Sequence, residues 1–97
     1  MKGSERAELR AQAHHLTATV HVGQHGITPA LVSSLDDALR TQELVKVKLG
    51  RNADIKARDA AARLSADTAS AVIQVIGHTA TFYRKNPDIQ PKKKKEE

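Results

Sequence analysis

Within Leu44-Val45-Lys46-Val47-Lys48-Leu49, Val45, Val47 and Leu49 fall on one parity and Lys46 and Lys48 on the other. A side-chain period of two marks a β-strand with one buried face. This segment therefore commits the chain to a sheet with one apolar, covered side and one polar side. The two lysines share the polar side, about 7 Å apart along the strand. The rest of the chain must supply the cover, and 97 residues are enough for one domain, since compact domains usually run about 50–200 residues.

The cover is legible as helices. Thr28 followed by Pro29 is a helix start, a hydroxyl N-cap with proline at the first helical position. Leu31, Leu35, Ala38 and Leu39 then recur at i, i+4, i+7 and i+8, which predicts an amphipathic helix to about Thr41. Ser4, with Glu5 and Glu8 behind it, predicts a first helix to about His15. An alanine-rich stretch from Ala53 or Asp54 to Ala69, with Asp54 as its cap, predicts a third. Thr19 to Val22, Ala71 to Ile76 and Ala80 to Arg84 read as further strands, the last two joined at Gly77-His78-Thr79 as a hairpin. The predicted order is αβαβαββ, an α/β fold with three helices and a four-stranded mixed sheet, two strands following parallel crossovers and one antiparallel. Val20, Val22, Val45, Val47, Leu49, Ile73 and Val75 should form the covered face. Thr19, His21, Lys46, Lys48 and Gln74 should form the other, with Val72 and Ile76 among them and the first helix covering part. Residues 1–85 are expected to be the domain. Residues 86–97, with two prolines and the run Lys92 to Lys95, are expected to be a disordered tail.

Composition narrows the function. There is no cysteine, which excludes a disulfide scaffold, thiolate zinc ligands and a cysteine nucleophile. No apolar run approaches the about 20 residues of a membrane span, and the first residues lead into no apolar signal segment. A cytoplasmic protein without membrane contact is the expectation. The five histidines show no HExxH pattern and no carboxylate at ligand spacing, so neither a metal nor another cofactor is expected. The acids sit mostly on helices, such as Asp36-Asp37 and Asp59, with no pairing that suits acid–base catalysis of a small-molecule substrate. The formal charge is +5, a balance that points to a polyanion, usually nucleic acid. Six basic and three acidic residues lie between Arg84 and Glu97, so a binding face on the folded part must come from clustering. Phe82 and Tyr83 are the only aromatics. As neighbours on a strand they point opposite ways and make a poor stacking platform for bases.

Gly23-Gln24-His25-Gly26 lies between a strand end and the Thr28 helix start. Glycines let a backbone approach a phosphate, and the N–H groups of a helix N-terminus attract anions. By spacing alone, the two glycines serve the turn as readily as a phosphate. Lys46 and Lys48 are likewise as consistent with a solvated sheet face as with a binding one.

Taken in order, Val20 to Thr28, Glu43 to Lys48, Gln74 to Thr79 and Tyr83-Arg84 resemble the CRM domain family (chloroplast RNA splicing and ribosome maturation), in particular its small YhbY-like bacterial members. The resemblance runs from about Glu5 to Arg84. It implies a fold similar to the C-terminal domain of translation initiation factor three. It also implies RNA binding through the GxxG loop and association with precursors of the large ribosomal subunit. A non-enzymatic monomer that binds ribosomal RNA is the expectation. Carried onto this sequence, the loop is Gly23, Gln24, His25 and Gly26 with Thr28 behind it, the basic strand is Lys46 and Lys48, and the hairpin presents His78. Lys56 and Arg84 complete the expected RNA-binding set. Gln24, His25 and His78 stand where relatives often carry basic residues. The alternative is a protein-interaction module on the ribosome or another assembly, using the open sheet face.

Overall fold

The computed structural model describes residues 3–53 and 55–85. In chain order its elements are α1 (Gly3–Ala13), β1 (Val20–Val22), α2 (Pro29–Gln42), β2 (Leu44–Leu49), α3 (Ala57–Thr68), β3 (Ala71–Ile76) and β4 (Thr79–Tyr83). The expected αβαβαββ order and mixed four-stranded sheet are both present. The expected tail, 86–97, and the proposed cap Asp54 lie outside the described residues.

Local chemistry explains most element boundaries. The Thr28 hydroxyl accepts the Leu31 N–H at 3.1 Å and Pro29 opens α2. The structure moves several limits, and β1 begins at Val20, one residue after the expected Thr19. Helix α1 already includes Ser4 and stops at Ala13, where the N–H groups of His14, His15 and Leu16 each bond three residues back, the tighter geometry common at helix ends. Helix α3 begins at Ala57 after Lys56, which gives no side-chain cap. The hairpin turn needs only Gly77 and His78, so β4 begins at Thr79 and Arg84 falls beyond it.

The sheet order is β1-β2-β4-β3. Strand β1 pairs parallel with β2, and β4 runs antiparallel to both β2 and β3. Strands β1, β2 and β3 therefore point the same way, with β4 inserted between the last two. Helices α2 and α3 cover one face and α1 lies on the other. The main core joins Val22, Leu35, Leu39, Val45, Val47, Leu64 and Phe82, all at most 1% exposed, with Val20, Leu49, Ala60, Ala61 and Ala80 around them. Losing the Phe82 ring would cost about 3–5 kcal/mol, as for other buried aromatics.

One strand departs from the expected faces. Between Val72 and Gln74 the pairing of β3 with β4 shifts by a residue. Such a bulge places two consecutive side chains on one side. Val72, not Ile73, joins Val75 against the main core, and Ile73 turns to the α1 face beside Ala13, Leu44 and Leu16. The Arg6 guanidinium of α1 donates to the Val72 carbonyl at 2.7 Å, fastening the helix at this irregularity.

Candidate functional site at the loop edge

Because three strands point the same way, the chain leaves all of them at one edge of the sheet. The loops after β1 and β2 and the β3–β4 turn meet there. Backbone bonds tie them side by side: the Gly50 N–H donates to the Val22 carbonyl at 2.9 Å, and the Leu49 N–H to the His78 carbonyl at 2.7 Å. Helices α2 and α3 both begin at this edge, so two positive dipole ends open on it.

The Gly23–Gly26 loop is a turn closed by the Gly26 N–H on the Gly23 carbonyl at 3.0 Å, leaving Gln24 and His25 exposed at its tip. The glycines differ in role. Gly26 has φ +68°, in the left-handed region that disfavours other residues. Gly23 has no such constraint, and a Cβ on it would meet nothing within 4 Å. Thr28 is engaged as a helix cap, its hydroxyl accepting from Leu31 and its carbonyl from Val32.

Exposed cations stand along the same edge. Lys48 sits opposite His21 of β1 and Thr79 of β4, one residue short of the edge. Lys56 and His78 line an open cleft of about 600 Å³ with Arg51, Ile55 and Asp59. Arg51 is the residue that reading along the sequence missed. Locally, Gly50-Arg51-Asn52 carries only the signal of a turn, yet a loop that follows a parallel strand must share an edge with its neighbours' loops. The structure thus brings together Gly23, Gln24, His25, Gly26, Thr28, Lys48, Lys56 and His78, and adds Arg51.

Two expected residues are placed elsewhere. Lys46 is half-buried on the open sheet face, its Nζ donating to the Leu16 carbonyl at 3.2 Å. Arg84 lies at the far end of the sheet, where its guanidinium donates to Asp36 Oδ1 at 2.6 Å, the Thr68 carbonyl at 2.8 Å and the Asp36 carbonyl at 3.1 Å. It ties α2, α3 and the end of β4 together, and its hydrogen bond to Asp36 holds that carboxyl below the usual carboxylate range. Acids also gather at this end: Glu5 and Glu8 line a cleft with Tyr83, whose hydroxyl is pushed up first by burial, then by Glu43 and Glu5. The two ends of the strands therefore differ: Lys48, Arg51 and Lys56 are exposed at one edge, while at the other Arg84 is paired with Asp36 and Glu5 and Glu8 share their cleft with Lys85. Among the described residues, no three His, Asp or Glu side chains are grouped to hold a metal ion, and no helix is long and apolar enough to cross a membrane.

Residues 1–84 match the model of the CRS1/YhbY (CRM) domain. The chain belongs to the CRS1/YhbY (CRM) domain family. Among CRM relatives, the "Probable RNA-binding protein YqeI" of Bacillus subtilis is 31% identical over 88 residues, 91% of this chain and 92% of that protein. The "Probable RNA-binding protein PA4753" of Pseudomonas aeruginosa is 34% identical over 83 residues, 86% of this chain and 80% of the other. In three dimensions, this CRM domain superposes on the solution structure of the hypothetical protein SAV1595 from Staphylococcus aureus with a TM-score of 0.78. The two are 30% identical, and the match covers 93% and 94% of the two chains.

Proposed function

We propose that this CRM domain is a non-catalytic RNA-binding protein that grips structured RNA at its loop edge. The observation that carries the reading is the convergence of three loops, two helix N-termini and the exposed side chains of Lys48, Arg51 and Lys56 on one edge. The relatives named as RNA-binding proteins support it. The Gly26 turn lets a phosphate reach the backbone, Gln24 and His25 contact the same strand, and the cations neutralise neighbouring phosphates. Phe82 is buried and Tyr83 lies at the far end of the sheet, so neither Phe nor Tyr serves as a base platform at this edge. Recognition then rests on backbone geometry and fold of the RNA.

The RNA we assign is ribosomal RNA within a precursor of the large subunit, as the family resemblance implies, and we assign its binding to a monomer in the cytoplasm. Sequencing RNA crosslinked to the protein in cells tests this. Enrichment of large-subunit ribosomal RNA, lost when Gly23 and Gly26 are both replaced by Asp in a variant with unchanged circular dichroism, is the expected result. An even spread over unrelated transcripts would contradict it. The second reading, a protein-interaction module using the open sheet face, is favoured by one observation: Ile76 is 58% exposed there. Co-purification with one protein after RNase treatment would support that reading.

A further inference from the structure

On the open face of the sheet, His14, Lys46, Gln74, Ile76, Thr79 and Thr81 line a cleft of about 170 Å³. The strand pairings place Lys46, Thr81 and Gln74 in one row across β2, β4 and β3, and Lys48, Thr79 and Ile76 in the next row toward the loop edge. Thr81 is only 1% exposed, yet its buried hydroxyl has no hydrogen-bond partner. A hydroxyl in that state destabilises a fold unless something satisfies it. The cleft is smaller than the about 300–1,000 Å³ of drug-sized pockets but can admit one small ring.

We propose that this cleft takes the base of one unpaired nucleotide from an RNA whose backbone lies on the loop edge. The inference rests on the RNA-binding reading above and adds where a base is read. The Gln74 amide and the Thr79 and Thr81 hydroxyls each offer both donor and acceptor, which suits the mixed hydrogen-bonding edge of a nucleobase. Exposed Ile76 supplies an apolar wall for the ring. Lys46 already commits one of its three N–H donors to the Leu16 carbonyl, and no carboxylate lines the cleft to attract a cation. Lys48, in the neighbouring row, bridges the cleft to the cations of the edge.

The test has two arms with the full chain. In the first, NMR follows the Gln74 side-chain amide and the Thr81 methyl during titration with UMP, CMP, AMP and GMP, with ribose 5-phosphate and inorganic phosphate as controls. At least one nucleotide should shift both signals, and neither control should. In the second, fluorescence anisotropy compares an RNA hairpin carrying that nucleotide as a single bulge with the same hairpin carrying an abasic bulge. The isosteric Thr81→Val, whose β-branched side chain suits a strand, should reduce the preference for the base about five- to tenfold, the size expected of one hydrogen bond. Gln74→Leu should do likewise, and affinity for the abasic hairpin should stay the same in both variants.

Equal shifts with inorganic phosphate would overturn the proposal in favour of an anion subsite. Shifts produced only by a protein from an RNase-treated extract would overturn it in favour of a protein partner. If both hairpins bind equally, with undiminished dependence on the loop-edge lysines, the base pocket fails while the RNA-binding reading stands. If no hairpin binds in any form, both fail.

Discussion

The two ends of the sheet use the same chemical groups for opposite purposes. At the far end, Arg84 is 79% buried by side-chain area and reaches a carboxylate and two carbonyls. At the loop edge, Lys48, Arg51 and Lys56 are exposed. Backbone strain is distributed in parallel. Positive φ at the loop edge falls on glycines, Gly26 and Gly77, whereas at the far end it falls on Glu43 and Ala69. An arginine that stabilises must be enclosed by its partners, and a cation that recruits an anion must be left open. Which of these a basic residue does is decided by what faces it, and a charge count does not report that.

Arg84 should give the largest effect. Arg84→Ala leaves Asp36 Oδ1 and the Thr68 carbonyl without their donor, with Arg40 still on Asp36 Oδ2, a loss of about 1–3 kcal/mol measurable by urea unfolding. Arg84→Lys should recover only part of it, since an ammonium cannot reproduce the guanidinium fork. Unchanged stability would break the distinction between the two ends.

The left-handed positions sharpen it further, with opposite signs. Gly26→Ala forces an L-residue to φ +68° and should destabilise by about 1–2 kcal/mol, while Gly23→Ala should stay within about 0.5 kcal/mol. Ala69→Gly relieves the helix end at φ 54° and should stabilise by about 0.5–1 kcal/mol. Equal responses at Gly23 and Gly26 would remove the argument that only one of them is conformationally required.

A smaller effect is expected from acid. Arg84 holds the Asp36 pKa below its ordinary value. The unfolded chain therefore takes up that proton first, at about pH 3.9. The pair's contribution to stability is complete above that pH and declines as pH falls through the lower, folded value. Wild type should lose stability on acidification below about pH 4 more steeply than Asp36→Asn. Superimposed pH profiles would show that the pair contributes nothing at this end.

Much of this architecture was legible because its signals are local. The alternation at Val45–Leu49 and the Thr28-Pro29 start each carry their cause within a few residues, and both elements stand where they were expected. The bulge at Ile73 was not legible: Ala71-Val72-Ile73 is apolar throughout, so no pattern tells which side chain turns away. The start of α3 is not legible because Ala53 and Ile55 continue the apolar pattern upstream of Ala57 and Lys56 makes no side-chain capping bond to mark the boundary. Arg84 was placed with the binding residues because its partner Asp36 lies 48 positions away, and Arg51 was overlooked because only the strand topology brings its loop to the shared edge.

The central claim, that the loop edge and not the far end holds RNA, is tested most directly by the salt dependence of binding. The wild type, the triple variant Lys48→Gln, Arg51→Gln, Lys56→Gln, and Arg84→Lys would each be titrated with one structured RNA across a salt series. Each phosphate contact removed should lower the slope of log affinity against log salt by about 0.7–0.9. The triple variant should therefore lose about 2 units of slope, and Arg84→Lys should keep the wild-type slope. A triple variant with the wild-type slope, or a slope that falls with Arg84 instead, would contradict the account.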